Sequence, residues 1–598
     1  MCGIFGFYLN RPLSSTDIES GKLAISKLKH RGPDNIDYWC DKSKGVFLGH
    51  TRLSIQDVSP ANHQPYLDSG FSLVFNGEIY NFLEIRKNLE KSGCNFSTRG
   101  DTEVFAKAWQ KYGEKSLDII DGMFAFCLFN NDTLTLGVDI FGEKPLYWYR
   151  SSEGFYFSSE PKPLVDMLDL KVDLNHQNIN QFLMLGYIAS PNTIYEGLYR
   201  CNPATIINIS SNGKLSTRKF WQKPEQFIGK GKVASITESE LDKIEETLST
   251  ALSRRIISDV PMGLFLSSGI DSSLIAALLR KNYKRDFLSL TVSYDRNSIN
   301  EAIDAKKIAD YLKLDHIIVN SSDTSSQHNL DELDTIYNEP NAGLTAFSVF
   351  QMSQLAKPHF TVALAGVGGD EVFYGYGKHN FLYKNRNIIT NQKIMKLLRM
   401  VSSLPSRYIR KMKTLNYLTS INSNEILFAL KNSPYFNHPY WYQDFSQLTK
   451  KYFNDLNSEN IVTQVRDFDL DVNLPNMIIP SIERASMRHA IEVRTPYLNK
   501  DVFDVVSSID YRKFVKFGQK NVLRKLLSRY LPKELFDHPK KGFIFPNSEL
   551  LYNSKQVSKH LNESNEVFRF MMKESKSDER WNQLLLRYLM VDFYRNKS

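Results

Sequence analysis

A cysteine stands at the second position of the chain, in the opening segment MCGIFGF. If the initiator methionine is removed, which the small Cys2 side chain permits, this residue carries both a thiol and a free α-amine. An α-amine has a pKa of about 7.7–8 in model peptides, so part of it is neutral at neutral pH and can take the thiol proton. The sequence therefore predicts a thiolate that attacks an amide carbonyl without a histidine partner.

Further polar residues could complete a site for glutamine around this nucleophile. Such a site needs a cation for the α-carboxylate, an anion for the α-ammonium and donors for the oxyanion. Arg52 in RLSI and Asp101 in GDTE are candidates for the two charges. The Asn76 side chain and the Gly77 backbone N–H, in NGEIYN, are candidates for the oxyanion donors.

A second candidate site lies in FLSSGIDSSLI, a serine- and glycine-rich loop between a predicted strand and a helix that starts at about Ser272. Backbone N–H groups of such a loop, with the helix N-terminus, can bind the pyrophosphate of ATP. Asp271 would then hold Mg²⁺, an ion usually bound by one or two carboxylates and the phosphates. The loop is not a Walker A loop, because no Lys-Ser/Thr pair follows its glycine.

Two later segments support a nucleotide site. AGVGGDEVFYGY follows another buried-type strand and places Asp370 at its C-terminal end, where the ligands of parallel sheets gather. GQKNVLRKLL offers Lys520 as a cation for the leaving pyrophosphate.

The elements that must position these residues fall into two groups. The first two hundred residues contain short β-runs rich in branched and aromatic residues, which predicts antiparallel sheets packed with helices, an α+β domain. From about Ile236 helices and strands alternate, which predicts an α/β domain with a parallel sheet and helical additions. We predict domains at 1–215 and 235–598, with a basic insertion at about 378–450 that is either a solvated helical segment or a docking surface for an acidic partner.

Composition limits the classes of function. The chain has 598 residues, a formal charge of +9, and no dense Lys/Arg stripe interleaved with aromatics, so we expect no nucleic acid partner. It has no apolar run long enough for a membrane span and no signal-peptide pattern, so we expect a cytoplasmic protein. Five cysteines in roughly the first third of the chain predict neither disulfides nor zinc. A homodimer is compatible with the sequence.

Six segments of the first domain resemble the class-II glutamine amidotransferase domain of glutamine-hydrolysing asparagine synthetases, in order and at suitable spacing. They are MCGI, RGPD, RLSI, NGEIYN, GDTE and FGEKPLYW. The later segments SDVPMGLFLSSGIDSSLIAA, AGVGGDEVFYGY, RASMRHAIEVRTPYL and GQKNVLRKLL resemble the synthetase domain of the same enzymes. The resemblance implies an N-terminal-nucleophile (Ntn) type fold, followed by an ATP-pyrophosphatase fold of the adenine nucleotide alpha-hydrolase kind.

The resemblance also implies site residues. Glutamine would contact Arg52, Asn76, Glu78 and Asp101. ATP would contact the phosphate loop of Leu266, Ser267, Ser268, Gly269, Asp271 and Ser272, together with Ala365, Gly366 and, beside the adenine, Val292. Asp271 and Asp370 would ligate Mg²⁺.

Departures from the family pattern concentrate in the second site. Ser268 replaces a glycine and Ala365 a serine, while Glu483 and Asn499 each replace an aspartate. Val367 stands where relatives carry an acid credited with a role in amide formation, and valine can neither take a proton nor hold a cation. In the first domain, the residue before Asp139 is Val138 where relatives usually carry arginine.

Three functions remain open from the sequence. The first is glutamine-dependent synthesis of asparagine from aspartate, with ATP and Mg²⁺ and a relocated proton acceptor. The second is amidation of another carboxylate, such as a uronic acid sugar or a peptide-like acid. The third is a glutaminase-only or non-catalytic relative that serves as a binding partner.

Overall fold

The computed structural model describes residues 2–173, 176–283, 287–293, 301–321, 330–391, 393–394, 457–537 and 579–596. Most of the predicted basic insertion at about 378–450 lies outside these residues. No helix among the described residues is long and apolar enough to cross a membrane.

The first domain is built on two antiparallel sheets. Its strands are β1 (Gly3–Leu9), β2 (Asn35–Asp41), β3 (Val46–Arg52), β4 (Tyr66–Asp68), β5 (Phe71–Ile79), β6 (Gly122–Asn130), β7 (Thr133–Val138), β8 (Tyr147–Arg150), β9 (Gly154–Ser158), β10 (Leu198–Arg200), β11 (Thr205–Ser210) and β12 (Leu215–Lys219). Within the described residues they form one sheet in the order β10-β8-β9-β1-β3-β2 and a second in the order β12-β11-β7-β6-β5-β4. The predicted antiparallel architecture is confirmed.

Helices cover the outer faces of these two sheets. They are α1 (Ser15–Ser26), α2 (Phe82–Lys91), α3 (Asp101–Tyr112), α4 (Ser116–Ile119) and α5 (Pro161–Leu168). A sixth helix, α6 (His176–Leu185), packs instead against helices of the second domain. Apolar side chains such as Ile4 and Leu48 from one sheet pack against Val74 and Leu136 from the other. The result is a helix–sheet–sheet–helix stack, with α1 and α5 on the first sheet and α2 and α3 on the second.

The second domain is built on a parallel sheet, as predicted. Its strands are β13 (Met262–Phe265), β14 (Leu288–Ser293), β15 (Asp315–Asn320), β16 (Val362–Leu364) and β17 (Glu492–Arg494). Their order is β15-β14-β13-β16-β17, and every pairing is parallel among the described residues. The loops that follow β13 and β16 therefore meet at one edge of the sheet, the edge where ligands bind in such folds.

Helices surround this sheet. They are α7 (Glu238–Arg255), α8 (Ile270–Asn282), α9 (Glu301–Leu312), α10 (Leu330–Tyr337), α11 (Thr345–Ala356), α12 (Gly369–Val372), α13 (Gly377–Ile389), α14 (Ile461–Phe468), α15 (Ile479–Met487), α16 (Lys500–Ser508), α17 (Arg512–Val515), α18 (Asn521–Leu527) and α19 (Glu579–Arg595). A π-helical segment, Asp469–Ile478, joins α14 to α15. Helix α7 starts at a capping box in which Thr237 and Glu240 satisfy each other's backbone N–H groups.

One hydrophobic cluster spans the domain boundary. Leu53, Tyr80 and Met123 of the first domain belong to the same buried cluster as Leu264 and Leu498 of the second. Apolar packing is therefore continuous from one domain to the other.

Candidate active sites

Cys2 lies at the start of β1 and is buried, 7% exposed. Its backbone nitrogen donates to Asn76 Oδ1 at 3.0 Å, and Arg31 Nε donates to its carbonyl oxygen at 3.1 Å. Burial raises the pKa of the Cys2 thiol, against the opposing effects of a hydrogen bond from the Leu53 backbone and the charge of Arg52. The thiol is therefore protonated at rest, and a base must take its proton before it can attack.

The predicted oxyanion donors lie on β5, beside Cys2. Asn76 is fully buried, and its Nδ2 has no acceptor among the described residues. A buried donor without an acceptor is costly unless a ligand satisfies it, which fits the predicted role. Gly77 pairs with Phe124 on β6, and a Cβ there would lie 2.1 Å from the Met123 carbonyl oxygen, so only glycine fits at this position.

Arg52 lies at the end of β3 and holds a loop in place. Its guanidinium donates to the carbonyl oxygens of Ser59 at 2.9 Å, Gln56 at 3.4 Å and Asp57. The structure therefore places Arg52 beside Cys2 with several of its donors already engaged. Its predicted contact with the glutamine α-carboxylate stays a prediction.

The predicted acids of this site are both buried. Asp101 starts α3 and accepts from the Ile79 backbone N–H at 2.8 Å, and burial raises its pKa to about 6. Glu78 accepts from the side-chain amide of Gln56. Burial raises the pKa of Glu78 well above its usual range, and the neighbouring acids Glu492 and Asp101 add to the rise. The two carboxyl groups therefore lie close together, where a ligand ammonium would favour their charged forms.

The predicted phosphate loop is held by its own serines. Ser272 Oγ donates to the carbonyl oxygen of Ser267 at 3.1 Å, and the Gly269 N–H donates to Ser267 Oγ at 3.1 Å. Helix α8 begins at Ile270, two residues before the predicted start, so Asp271 belongs to its first turn. Ser268, which replaces a glycine of the family pattern, is buried in this loop.

Three charged residues converge beside the loop. Lys520 Nζ lies 2.7 Å from Asp370 Oδ1 and also forms an ion pair with Asp271. Although burial opposes its charge, these two acids raise the pKa of Lys520 to about 12. The structure thus brings both predicted magnesium ligands to one point, with the predicted pyrophosphate cation between them.

This donor set fits Mg²⁺. The described residues contain no group of three or more His, Cys, Asp or Glu side chains that could hold a metal. Two carboxylates, from Asp271 and Asp370, agree with an ion that takes its remaining ligands from phosphates and water.

The other predicted nucleotide contacts line the same edge of the sheet. The N–H of Leu266 donates to Leu290 O at 3.0 Å, and Val292 is near the end of β14. Ala365 follows β16, and a Cβ on Gly366 would lie 2.8 Å from the Ser272 nitrogen. The loops after β13 and β16 are therefore in direct contact.

The departures from the family pattern have different structural outcomes. Val367 packs at the margin of an apolar cluster that includes Phe265 and Ile491. Asn499 caps α16, because its side chain accepts from the Val502 N–H at 3.0 Å, so a helix cap is available without aspartate. Glu483 forms a buried ion pair with Arg31 of the first domain.

Residues at the domain boundary were not predicted as site residues. Arg494 and Glu492 flank Val493 on β17 and point to one face, next to Glu78. The Thr495 hydroxyl donates to Glu143 Oε2 at 2.7 Å across the boundary. The sequence contains one feature that could have revealed these residues. The apolar segment IEVRT carries an acid and an arginine two residues apart, and charged residues are rarely buried unless they are paired.

Comparisons with known proteins match two different families to the two parts of the chain. Residues 1–221 match the family model of a glutamine amidotransferase domain, and residues 243–584 match that of asparagine synthase. Asparagine synthetase [glutamine-hydrolyzing] 1 of Bacillus subtilis is 29% identical over 100% of this chain and 94% of its own length. Putative asparagine synthetase [glutamine-hydrolyzing] 2 of Methanocaldococcus jannaschii is 32% identical over 67% of this chain and 80% of its own.

Other matches are more remote. Amidase chry2 of Gibberella zeae is 26% identical over 63% of this chain and 59% of its own length. Among solved structures, the Bacillus subtilis glutamine PRPP amidotransferase is 16% identical with a TM-score of 0.29, over 53% of this chain and 65% of its own. At that score the likeness adds nothing to the fold described above.

The two family matches together define a glutamine amidotransferase domain joined to an asparagine synthase domain. The chain belongs to the asparagine synthase family, whose model covers more than half of its length. The resemblance in the sequence motifs is thereby confirmed.

Proposed function

We propose that this protein hydrolyses glutamine at Cys2 and transfers the ammonia to a carboxylate activated by ATP, with aspartate as the favoured acceptor and asparagine, AMP and pyrophosphate as products. One chain holds both of the arrangements that support the proposal. The Cys2 nitrogen donates to Asn76 in the first domain. Asp271, Asp370 and Lys520 converge beside the predicted phosphate loop in the second.

In the first half-reaction, removal of Met1 turns the Cys2 nitrogen into an α-amine held by Asn76 Oδ1. The amine takes the thiol proton, and Sγ attacks the side-chain amide carbon of glutamine. Asn76 Nδ2 and the Gly77 N–H stabilise the oxyanion. The carbon–nitrogen bond then breaks, the amine returns its proton to the leaving ammonia, and water hydrolyses the thioester to glutamate.

In the second half-reaction, a carboxylate oxygen of the acceptor attacks the α-phosphorus of ATP and pyrophosphate leaves. Lys520 stabilises the leaving pyrophosphate, while Ser267 to Ser272 bind its oxygens. Mg²⁺, held by Asp271 and Asp370, would neutralise charge on the phosphates. Ammonia then attacks the acyl carbon and AMP leaves. Free ammonia is mostly ammonium at neutral pH, which is a physical reason to pass it between the domains internally.

The attacking ammonia must lose a proton, and Val367 cannot accept it. Glu371 stands four residues further along, on α12. It is buried and accepts a hydrogen bond from the Tyr376 hydroxyl. Burial, with the adjacent Asp370 charge, raises its pKa to about 7. Asparagine synthesis by this chain therefore requires a proton acceptor other than the side chain at position 367.

Val367 also favours a second candidate, the amidation of a different carboxylate such as a uronic acid sugar. Amidase chry2, a similar chain, carries a name other than asparagine synthetase. An apolar side chain at this position removes an anion that would attract the α-ammonium of an amino acid. The two candidates share every step except the identity of the acceptor.

A screen of carboxylic acids with the purified full-length chain, glutamine, ATP and Mg²⁺ tests the proposal. Aspartate-dependent release of AMP together with asparagine supports the first candidate, and AMP release only with another acid supports the second. Glutaminase activity without AMP release for any acid would contradict both. Intact-mass analysis of the active protein must show that Met1 is absent, since a retained or blocked terminus removes the proposed base.

Cys2→Ala separates the two sites. We expect it to abolish glutamine-dependent turnover and to leave ammonia-dependent AMP formation intact, because Cys2 belongs only to the first half-reaction. Cys94→Ala, a half-buried cysteine away from the site, is the matched control. Loss of both activities in Cys2→Ala alone would contradict the separation of the sites.

A further inference from the structure

Arg494 is a fully buried arginine at the end of β17, in the second domain, and its side chain reaches into the first. Its Nε donates to Glu492 at 2.7 Å. Its Nη1 donates to the carbonyl oxygens of Arg255 at 2.9 Å and Ile257 at 2.6 Å. These contacts leave Nη2 to face Glu78, 3.4 Å from its Oε2. Three hydrogen bonds therefore fix the guanidinium, and its Nη2 faces Glu78, a residue of the predicted glutamine site.

Glu78 has an unusual set of neighbours for a carboxylate. The acids Asp101 and Glu492 lie near it, as does the Cys2 thiol, and Gln56 holds one of its oxygens. The positive charge of Arg494 opposes the effect of burial on the pKa of Glu78. A carboxylate buried among acids keeps its charge only if a cation stays beside it.

The backbone of the same residue belongs to the other site. Arg494 pairs with Leu364 of β16, and its carbonyl oxygen accepts from the Ala365 N–H at 3.0 Å. Ala365 begins the loop predicted to bind ATP. One residue thus contacts an acid of the glutamine site through its side chain and the nucleotide loop through its main chain.

We infer that Arg494 is a positioning residue for glutamine hydrolysis: it holds Glu78 as an oriented carboxylate for the substrate ammonium, so that the glutamine site is completed by the second domain. The inference rests on the proposed glutamine contact of Glu78. Removal of the guanidinium leaves Glu78 among acids without its cationic partner, although Gln56 still contacts it. The ammonium of glutamine then meets a carboxyl group that is protonated to a higher pH and is less firmly oriented.

The test measures glutamate release by the full-length chain with its processed N-terminus, from pH 5 to 9. Arg494→Met is expected to lower kcat/KM for glutamine roughly 10- to 100-fold, mostly through KM, as loss of an orienting partner does elsewhere. The acid limb of its pH profile should move to higher pH. Arg494→Lys should recover part of the loss, because a lysine restores the positive charge but not the hydrogen bonds that fix the guanidinium.

Two further comparisons separate positioning from a general loss of structure. Glu78→Gln should itself weaken glutamine binding, and Arg494→Met should add little to it, since the partner is already gone. Arg200→Met is the matched control. Arg200 is also a buried arginine that joins the domains, and it pairs with Glu339 rather than with Glu78. It should lower the melting temperature and leave the acid limb in place.

A folded Arg494→Met with wild-type kcat/KM and acid limb would overturn the inference, as would independent, multiplying effects of Glu78→Gln and Arg494→Met. An equal fall in ammonia-dependent AMP formation would also overturn it, because that result indicates damage to the whole boundary. If Arg494→Met does not fold, Arg494→Lys decides: an unchanged KM for glutamine overturns the inference. Absence of glutaminase activity in the wild-type chain would refute the proposed function instead.

Discussion

Arg31 and Glu483 form a buried ion pair across the domain boundary. Arg31 Nη1 lies 3.5 Å from Glu483 Oε2, and Nη2 contacts Oε1 of the same carboxylate. Arg31 also contacts Glu160 at 2.9 Å and donates from Nε to the carbonyl oxygen of Cys2. The nucleophile is therefore tied to helix α15 of the second domain through one guanidinium.

Glu483→Gln tests this link. Removing one partner of a buried pair costs about 3 kcal/mol of unfolding free energy, toward the low end of the usual range because Glu160 still contacts Arg31. The variant should melt at lower temperature and lose glutaminase activity more than ammonia-dependent synthesis. The double variant Arg31→Met/Glu483→Met should recover much of the stability, because no buried charge of the pair remains. Additive losses in the double variant would show that the two side chains do not interact.

Asn76→Asp tests the oxyanion donor separately from the partner of the Cys2 nitrogen. The substitution keeps Oδ1, which accepts from that nitrogen, and replaces the buried Nδ2 by an oxygen. We expect kcat for glutamine hydrolysis to fall about 10²- to 10³-fold, with a smaller change in KM, because the donor acts on the transition state. Asn88→Asp, on the exposed face of α2, is the control. A change confined to KM would contradict the assignment.

Lys520→Met tests the cation between the two acids. We expect AMP formation to fall by a factor of about 10² or more with glutamine or with ammonia, because the departing pyrophosphate loses its charge partner in the transition state. Glutamate release should be unchanged. Lys533→Met is the control, because Lys533 is an exposed lysine beyond the end of α18, the helix that begins after Lys520. It should keep both activities. A wild-type rate of pyrophosphate release would rule out the assigned role.

Glu143 predicts a pH-dependent stability of the domain boundary. Burial, followed by the charge of Asp139, raises its pKa to about 8. A raised carboxyl pKa contributes stability that is present at low pH, and that stability is lost as pH rises from the unfolded value of about 4.3 through about 8. Glu143→Gln keeps an acceptor for Thr495, so its melting temperature should fall less between pH 5 and 8 than that of the wild type. Glu246→Gln, at an exposed position, is the control. If the melting temperatures of Glu143→Gln and the wild type fall equally between pH 5 and 8, the prediction is contradicted.

The local pattern of the chain was enough to predict the antiparallel sheets of the first domain and the parallel sheet of the second. The branched and aromatic runs became strands such as β3, β5 and β6, and the alternating pattern after Ile236 became the parallel sheet with its helices. Helix α8 starts at Ile270 rather than at about Ser272, because loop and helix share a hydrogen-bond network through Ser272 that spacing does not reveal. The domain limits and the roles of the site residues stay predictions.

What lay beyond the sequence was which distant residues meet. Cys2 and Asn76 were both proposed, but their contact depends on the pairing of sheets whose strands are far apart in the chain. Arg52 was proposed as the cation for the glutamine α-carboxylate, and its guanidinium also donates to the carbonyl oxygens of residues 56, 57 and 59. Arg31 and Arg494 gain their importance only from the docking of two domains, which no local periodicity encodes.

The three-residue strand β17 has a consequence for how such chains diversify. Because Arg494 contacts Glu78 of the amino-terminal half while its main chain borders the predicted nucleotide loop, we expect recombination to exchange the carboxyl-terminal half less readily than an independent module. A donor half brought in from another lineage would have to carry an acid and an arginine at the same two places, whatever acceptor it prefers. New acceptor preferences are therefore expected to arise by substitutions around the loop rather than by replacement of the half that contains it.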